Sequence, residues 1–290
     1  MNSLPTVSVV VPVLNGESSI AACVRSLLAV DYPVELFEVV VVNNGSTDGT
    51  ARILSSFAKQ VKVLNEKKRG PAAARNTGIR AASNEIIAFT DCDCTAEASW
   101  LRNLTAALDS PKVGIIGGRI QAAKPCNRIE AFGDEIHDHE KAITVFKPPY
   151  AITMNWASPR KILLDAGLFD EDYLRCEDVD LSQKILRLGY KLVYQPDALI
   201  FHRNERTLFG LFREGYQHGV WAVKCLRDSR ELTKKHGHRR LNIESYKAIA
   251  TNLAAVVGRR RMRAICQATF DLGKKCGKIV GSAKFGYFDL

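Results

Sequence analysis

The feature that most constrains this chain is an apolar run that ends in two aspartates. Four of the five residues Ile86–Thr90 are apolar, as in a strand buried on both faces, and Asp91 and Asp93 follow at once. Strand residues two apart point the same way, and open α/β sheets bind ligands at the carboxyl ends of their strands. The two carboxylates therefore predict a site for a divalent cation with oxygen ligands. The alternative is a polar turn that closes a strand.

Strands and helices alternate before this run. The predicted strands are 7–13, 38–43 and 61–64. Helices are predicted after the first two, and an alanine-rich helix at 72–82 leads into the run. This alternation predicts an α/β fold with a parallel sheet whose strand ends share one edge. The segments expected at that edge are 12–17, 43–48 and 91–93. The chain has neither a Gly-x-Gly-x-x-Gly fingerprint nor a P-loop.

The pattern after the two aspartates is less regular. Residues 113–120 predict a strand, and Glu177 opens a predicted helix. Two further short strands are predicted at 191–195 and 198–202. The stretch 121–150 is predicted to be an irregular segment that covers the substrate.

Composition places few limits on function. The 290 residues are 46% hydrophobic and 25% charged, as in ordinary globular proteins. Eight cysteines without Cys-x-x-Cys spacing indicate neither a zinc ribbon nor a disulfide scaffold. No secretory leader is evident, and no apolar segment reaches the roughly 20 residues that span a bilayer. We therefore expect a cytoplasmic protein, either soluble or peripheral on the inner face of the membrane.

Charge is concentrated at one end of the chain. Residues 203–290 carry 19 Lys and Arg against 7 Asp and Glu, or +12, whereas residues 1–202 carry −2. Such asymmetry predicts a tail that meets a polyanion, either an anionic membrane surface or nucleic acid. The arginine clusters at 239–240 and 259–263, with an apolar run between them, predict basic amphipathic helices that favour the membrane surface over nucleic acid. The alternative is a solvated basic face.

Five motifs resemble those of family 2 glycosyltransferases. They are VVVPVLN at 9–15, VVNNGSTDGT at 41–50, GPAAARNTG at 70–78, TDCD at 90–93, and EDVDL at 177–181 followed by LGY at 188–190. The resemblance covers about residues 5–205. It implies a GT-A fold, which is a Rossmann-like, mostly parallel sheet flanked by helices, as a catalytic domain at 1–205. The basic, mainly helical extension would then occupy 206–290.

The resemblance also implies a metal and a donor site. Asp93 is expected to ligate Mn²⁺ or Mg²⁺, with Asp91 contacting the ribose or base beside the metal and His202 as a further ligand. The metal would bridge the donor's diphosphate and stabilise the leaving group. Arg75 would donate to the same diphosphate; its alternative role is that of a solvated helix arginine. A structural role is the alternative for His202.

The remaining donor contacts are expected at the shared strand edge. The residues predicted to bind the donor are Pro12, Asn15, Glu17, Asn43, Asn44, Arg75, Asp91 and Cys92. Close relatives often have an acid where this chain has Asn43 or Asn44, and that acid recognises the base. An asparagine carbonyl accepts the same hydrogen bond without charge assistance, so the nucleotide is left open. Cys92, Cys94 and Cys176 are expected to be small fillers.

Catalysis by inversion needs a base for the acceptor hydroxyl. The resemblance assigns this role to Asp178, with Glu177 orienting the acceptor or the base. A capping role at the helix start is the alternative. The helix dipole is expected to lower the pKa of the Asp178 carboxyl, against the influence of neighbouring acids. The histidine pairs 137/139 and 236/238 lack a third zinc ligand and are predicted to be surface or acceptor-side residues.

Together these features predict a metal-dependent, inverting glycosyltransferase. Its substrates would be a nucleoside diphosphate sugar and a hydroxyl acceptor on a lipid-linked or cell-envelope glycan. Within the fold, the alternatives are a retaining glycosyltransferase or a nucleotidyltransferase. The alternative from another class is a non-catalytic protein whose acids are structural and whose tail binds RNA or membrane.

Overall fold

The structure is a computed structural model that describes residues 4–108, 110–230, 247, 251 and 261–289. The chain divides into two compact units. One unit contains Met1–Ala123 and His137–His202, and the other contains Lys124–Ile136 and Arg203–Leu290. The segment 124–136, which the sequence places in the catalytic domain, thus clusters with the C-terminal unit. Most of the predicted basic helices at 239–263 lie outside the described residues.

A single eight-stranded sheet forms the centre of the first unit. Its strands are β1 (Val7–Val13), β2 (Phe37–Asn43), β3 (Lys62–Asn65), β4 (Ile86–Phe89), β5 (Cys94–Ala96), β6 (Val113–Ala122), β7 (Trp156–Pro159) and β8 (Lys191–His202). They are arranged in the order β3-β2-β1-β4-β7-β6-β8-β5. β1 lies between β2 and β4 and is parallel to both, so the carboxyl ends of these three strands share one edge, as predicted.

The helices of the described residues are numbered in chain order. They are α1 (Ile20–Leu28), α2 (Thr50–Ser55), α3 (Pro71–Ala81), α4 (Trp100–Ala106), α5 (Arg128–Ile136), α6 (His139–Thr144), α7 (Arg160–Asp165), α8 (Glu177–Arg187), α9 (Leu208–Asp228) and α10 (Arg261–Phe285). Short 3₁₀ turns lie at Val34–Leu36 and Thr153–Asn155.

Hydrophobic cores cover both faces of the sheet. Alternate residues of β1 point to opposite faces, so Val9 and Val11 pack with α1, α2 and α4, whereas Val10 packs with α3, α7 and α8. All three valines are at most 1% exposed. Each such side chain stabilises the fold by about 1.5–3 kcal/mol on burial. The continuous apolar runs of the strands are explained by this double coverage.

The second half of the sheet departs from the predicted parallel arrangement. β7 is antiparallel to both β4 and β6, and β5 is antiparallel to β8. The two short strands predicted at 191–195 and 198–202 form the single strand β8. Its pairing with β6 shifts register between Gln195 and Leu199, around Pro196, which has no N–H for the ladder. The stretch 121–150, predicted to be irregular, contains α5 and α6.

His139 corrects the prediction of a surface histidine. The ring is buried, with Nδ1 2.8 Å from the carbonyl of Gly118 and Nε2 2.8 Å from the main-chain N–H of Ile152. Because Nε2 must accept from Ile152, Nδ1 carries the proton and donates to Gly118. Burial lowers the pKa of His139 to about 4, against the opposing effect of the Gly118 carbonyl. The neutral ring therefore joins β6 to the segment that precedes β7.

The second unit is built from α5, α9 and α10. Phe132, Leu211, Cys266 and Phe270 form its buried apolar cluster. The carboxylate of Glu130 on α5 accepts from Arg206 at 2.8 Å, and Arg263 on α10 pairs with Glu135. Among the residues described, no helix combines the length and apolar character that crossing a bilayer requires.

The burial of neutral His139 predicts a specific acid sensitivity. The unfolded chain protonates this histidine near pH 6.5 and the folded chain only near pH 4. Acidification through this window therefore favours unfolding, by on the order of 3 kcal/mol at its lower end. His139→Gln should remove this component from the pH dependence of the unfolding free energy, measured by denaturant titration between pH 4 and 7.

The control is Val34→Gln, where the wild-type residue is 80% exposed and has no titratable group. This variant should keep the wild-type slope of unfolding free energy against pH. An unchanged slope in His139→Gln would show that the imidazole of residue 139 protonates equally in both states.

Candidate active site

Arg75 lies at the centre of a buried cluster of charges. From the second turn of α3, its Nη2 donates to Asp91 Oδ1 at 2.7 Å and its Nη1 donates to Glu177 Oε1 at 2.5 Å. Asp91 follows β4 by one intervening residue, and Glu177 is the first residue of α8. One guanidinium group therefore joins the end of a central strand to the start of α8. Arg75 and Glu177 are 102 residues apart in sequence.

The environment of Arg75 excludes the alternative of a solvated helix arginine. Its side chain is 3% exposed, and its Cζ lies 5.8 Å from the ring centre of Phe169. Burial alone would lower the pKa of Arg75, but the carboxylates of Asp91, Glu177 and Asp178 outweigh burial and raise it. The guanidinium is thus a permanent cation held in place by acids on two sides.

Asp178 follows Glu177 in the first turn of α8. Cys176, which precedes this turn, has the left-handed φ of 64° that is uncommon outside glycine and asparagine. Desolvation and the neighbouring charge of Glu177 raise the pKa of Asp178 to about 7, against Arg75 and the main-chain N–H groups of Val179 and Thr153. The predicted lowering by the helix dipole is therefore wrong, because burial and a like charge outweigh it.

Asp93 and His202 meet at a neighbouring point of the same edge. Cys94 of β5 pairs with His202 of β8, so the antiparallel register brings the preceding aspartate to the histidine. The distance from His202 Nε2 to Asp93 Oδ2 is 3.5 Å. Desolvation alone would raise the pKa of Asp93, but the hydrogen bond and charge of His202 lower it. A carboxylate thus lies beside an imidazole, and metal ligation by Asp93 and His202 stays a prediction.

His137 is a member of this group that sequence reasoning missed. It was predicted to be a surface or acceptor-side residue, but it is 8% exposed, and its ring packs edge-to-face on His202 with 5.0 Å between ring centres. The only sequence signal was the His137/His139 pair, which lacked a third ligand nearby in sequence. The partner comes instead from β8, which no local pattern indicates.

The donor set at this edge fits a divalent metal that shares its coordination with a substrate. Carboxylate oxygen and imidazole nitrogen suit Mn²⁺, and carboxylate oxygen suits Mg²⁺. In the part of the chain that the structure describes, no three His, Cys, Asp or Glu side chains are grouped to hold a metal by themselves. Mg²⁺ typically takes one or two protein carboxylates and completes its shell with water and phosphate oxygens. Asp93 and His202 could therefore hold a metal together with a diphosphate.

Asn15 and Glu17 are bonded to the loop that follows β2. Asn15 Oδ1 accepts from the N–H of Thr47 at 2.8 Å, and Glu17 Oε2 accepts from the N–H of Gly49 at 3.1 Å. Asn15 has a φ of 54°, which asparagine tolerates better than most residues. These contacts fix the two loops of the strand edge against each other. Donor contacts by these two side chains stay a prediction.

Asn43 and Asn44 are buried and bonded to main-chain groups. Asn43 Oδ1 accepts from the N–H of Ser46 at 3.1 Å. Asn44 Nδ2 donates to the carbonyls of Glu66 and Lys68, and its Oδ1 accepts from the N–H of Gly70 at 2.8 Å. Asn44 thereby fixes the basic loop that leads into α3. An aspartate there would face two carbonyl oxygens, which accounts for an amide at this position.

Pro12 and Cys92 complete the set of predicted donor residues. Pro12 is partly buried on β1, paired with Val42 of β2. Cys92 is partly buried between the two aspartates, and desolvation together with the charges of Asp93 and Asp91 raises its thiol pKa to about 12. Burial and the nearby carboxylates thus disfavour the thiolate, and donor contacts by Pro12 and Cys92 stay a prediction.

The fold and the acidic edge define a class of protein. The chain resembles the solved mannosyltransferase PcManGT of Pyrobaculum calidifontis, described in complex with GDP-Man and Mn²⁺, with a TM-score of 0.68 and 22% identity over 96% of this chain and 88% of that one. It also resembles TarS of S. aureus, solved with UDP-GlcNAc, with a TM-score of 0.58 and 17% identity over 97% and 92% of the two chains. The fold is that of the GT-A glycosyltransferases.

Sequence comparison gives the family. Residues 8–166 match the family described as Glycosyl transferase family 2. Glycosyltransferase AglE of Haloferax volcanii is 30% identical over 69% of this chain and 68% of its own length. The pre-mycofactocin glycosyltransferase of Mycobacterium tuberculosis is 31% identical over 70% of this chain but only 43% of its own length. The chain belongs to glycosyltransferase family 2 and is a nucleotide-sugar transferase.

The raised pKa of Asp178 predicts that this carboxyl reduces stability at neutral pH. Above pH 7 the folded protein ionises Asp178 at a cost that the unfolded chain does not bear, and below about pH 4 both states are protonated. Asp178→Asn should therefore raise the thermal unfolding midpoint at pH 8, by roughly 2–6 °C, and the difference should disappear near pH 4.

Asp180→Asn is the matched control on the same helix. Asp180 is 5% exposed and pairs with Lys184 at 2.7 Å, so its loss should lower the midpoint at pH 8. Equal destabilisation by the two substitutions would contradict a raised pKa at Asp178.

Proposed function

We propose that this protein is a metal-dependent, inverting glycosyltransferase that moves a sugar from a nucleoside diphosphate sugar to a hydroxyl group of a lipid-linked or cell-envelope glycan. The observation that carries the proposal is the pair of hydrogen bonds from Arg75 to Asp91 and Glu177. They connect the strand edge assigned to the donor with the helix start assigned to the acceptor. A buried cation in this position suits a reaction in which negative charge grows on a diphosphate.

The donor's diphosphate is proposed to lie between Arg75 and the metal ligands. Asp93 and His202 would hold Mn²⁺ or Mg²⁺, with Asp91 on the ribose side. When bound, the metal would stabilise the charge on the departing diphosphate. Among the groups that the structure describes, Arg75 Nε has no hydrogen-bond acceptor although it is buried. A buried donor of this kind is costly to leave unpaired, so it supports a phosphate oxygen as its partner.

Asp178 is the proposed base. Its pKa of about 7 makes it a stronger base than an ordinary aspartate while leaving a large part ionised at neutral pH. Thr153 N–H and Val179 N–H are donors to its carboxylate and limit its orientations. Glu177 is held by Arg75 and would orient the acceptor or the base. Direct displacement with inversion needs only one such base, which distinguishes it from a double displacement.

The nucleotide and the acceptor are less closely defined by the site. The amide of Asn44 is neutral and already bonded to main-chain groups, so recognition of the base is not expected from it. Donors linked to GDP and to UDP both belong in a test because the solved relatives carry GDP-Man or UDP-GlcNAc. The +12 charge of 203–290 supports an acceptor presented at the inner membrane surface of a cytoplasmic enzyme, more than a nucleic acid partner.

A donor panel tests the proposed reaction. The full chain is incubated with UDP-, GDP- and dTDP-linked sugars in Mn²⁺ and then in excess EDTA, and the released nucleoside diphosphate is measured. At least one donor should give release, which EDTA should reduce by about tenfold or more. Asp93→Asn should reproduce the effect of EDTA. A non-catalytic binding protein would release nothing under either condition.

A second pair of variants separates the base from the donor site. Asp178→Asn should abolish transfer to an acceptor while nucleoside diphosphate affinity, measured by calorimetry with Mn²⁺, stays within about twofold. Arg75→Lys should weaken that affinity by about tenfold, because one ammonium group cannot bond to Asp91 and Glu177 and also replace the Nε donor proposed for the diphosphate. Loss of both properties in Asp178→Asn would indicate structural damage. Retention of anomeric configuration in the product, followed by NMR, would indicate a retaining enzyme instead.

A further inference from the structure

The sheet fixes the main chain of His202 on both sides but does not fix its ring. Residue 202 pairs with Cys94 of β5 on one side and with Ala122 of β6 on the other. Its carbonyl also accepts from the N–H of Ala123 at 2.8 Å. Two side-chain torsions remain, and a change of rotamer about the first would carry Nε2 away from Asp93. A ring that is to bind a metal beside Asp93 therefore needs a further contact that holds it.

The ring of His137 supplies such a contact. It packs edge-to-face on the imidazole of His202, with 5.0 Å between the ring centres and 84° between the ring planes. His137 is 8% exposed and the side chain of His202 is 12% exposed, so the contact is largely shielded from solvent. Aromatic rings favour this geometry over face-to-face stacking. In this arrangement His202 Nε2 lies 3.5 Å from Asp93 Oδ2.

The main chain that follows His137 is anchored. The side chain of Asp138 caps α6 by accepting from the N–H of Lys141 at 2.9 Å. His139 is buried, and main-chain groups of distant segments bond to both of its ring nitrogens. Because these neighbours hold the main chain beside residue 137, its ring can restrict the ring of His202.

Contact with the ligand, rather than with the metal, is the role that the geometry favours for His137. In the part of the chain that the structure describes, Asp93, His137 and His202 are not grouped closely enough to hold a metal as three ligands. A metal held by few protein ligands depends on the orientation of each of them. Residues that orient a metal-ligating histidine typically contribute about 10–100-fold to metal affinity.

We propose that His137 is a positioning residue whose ring holds the imidazole of His202 in the orientation that binds the metal. It acts through contact between the two rings and not through a nitrogen atom bound to the metal. An aromatic ring without nitrogen should therefore replace it. The inference rests on the proposed function, because it requires His202 to be a metal ligand.

Binding of Mn²⁺ to the full-length protein tests this role. Bound Mn²⁺ is measured by electron paramagnetic resonance without nucleotide and with GDP, UDP or dTDP. His137→Ala should weaken Mn²⁺ binding by about tenfold, because the ring of His202 is then free to turn. His137→Phe should stay within about twofold of wild type, because it keeps the edge-to-face contact.

Tyr32→Ala is the matched control for loss of a buried ring. Tyr32 is 7% exposed and packs edge-to-face on Phe37, which begins β2 at the end of that strand opposite the site. This variant should lose stability but bind Mn²⁺ like wild type. Equal weakening of Mn²⁺ binding by Tyr32→Ala and His137→Ala would overturn the inference, because the effect would then come from general destabilisation.

Pulsed electron paramagnetic resonance of the bound Mn²⁺ separates this inference from the proposed function. Wild type and His137→Phe should show coupling to a coordinated imidazole nitrogen, and His202→Ala should lose it. Wild-type affinity in His137→Ala, or equal losses in His137→Ala and His137→Phe, would overturn the role of His137 and leave the proposed metal site intact. Absence of the coupling in wild type, or its retention in His202→Ala, would overturn ligation by His202 and the inference with it.

Discussion

The structure of the catalytic unit depends on one buried cation placed between carboxylates. Arg75 is 3% exposed, so its guanidinium has lost nearly all its water and relies on Asp91 and Glu177 for compensation. Removing the guanidinium would leave Asp91 and Glu177 without their cation in a region of low polarity, which costs more than the ion pairs themselves contribute. The strand edge and the start of α8 are therefore held together by buried ion pairs as well as by apolar packing.

The topology explains how three distant segments reach this point. β4 lies in the middle of the sheet beside β1, so the acids after it open on the same edge as the loops after β1 and β2. α3 crosses one face of the sheet and brings Arg75 to that edge. The antiparallel pairing of β5 with β8 brings His202 beside Asp93. Apart from Arg75 in the second turn of α3, these candidate side chains thus come from the ends of elements, where the backbone is already fixed by buried neighbours.

Local pattern was enough to predict the strands and helices up to β4, but not α5 and α6, nor the contacts among distant residues. The strands at β1, β2 and β4, and the acids that follow β4, could be identified from apolar runs because both sheet faces are buried. Three other features could not be identified in this way, because each depends on a partner far away in sequence. They are the burial of His139, the packing of His137 on His202 and the continuity of β8 around Pro196. The prediction of a lowered pKa for Asp178 failed for the same reason. The helix dipole follows from local sequence, whereas the desolvation of the carboxyl depends on the tertiary structure around it.

The sharing of Arg75 has a consequence for how such an enzyme can diverge. A substitution at Asp91 or Glu177 would also change the electrostatic field at the other carboxylate, because Arg75 donates hydrogen bonds to both, and in the proposed enzyme these two acids lie on the donor and acceptor sides. Donor preference and acceptor reactivity are then not independent traits. Substitutions that leave Arg75 and its two carboxylates unchanged lie in the surrounding loops and surface helices, where they can alter partner binding without changing this charge cluster.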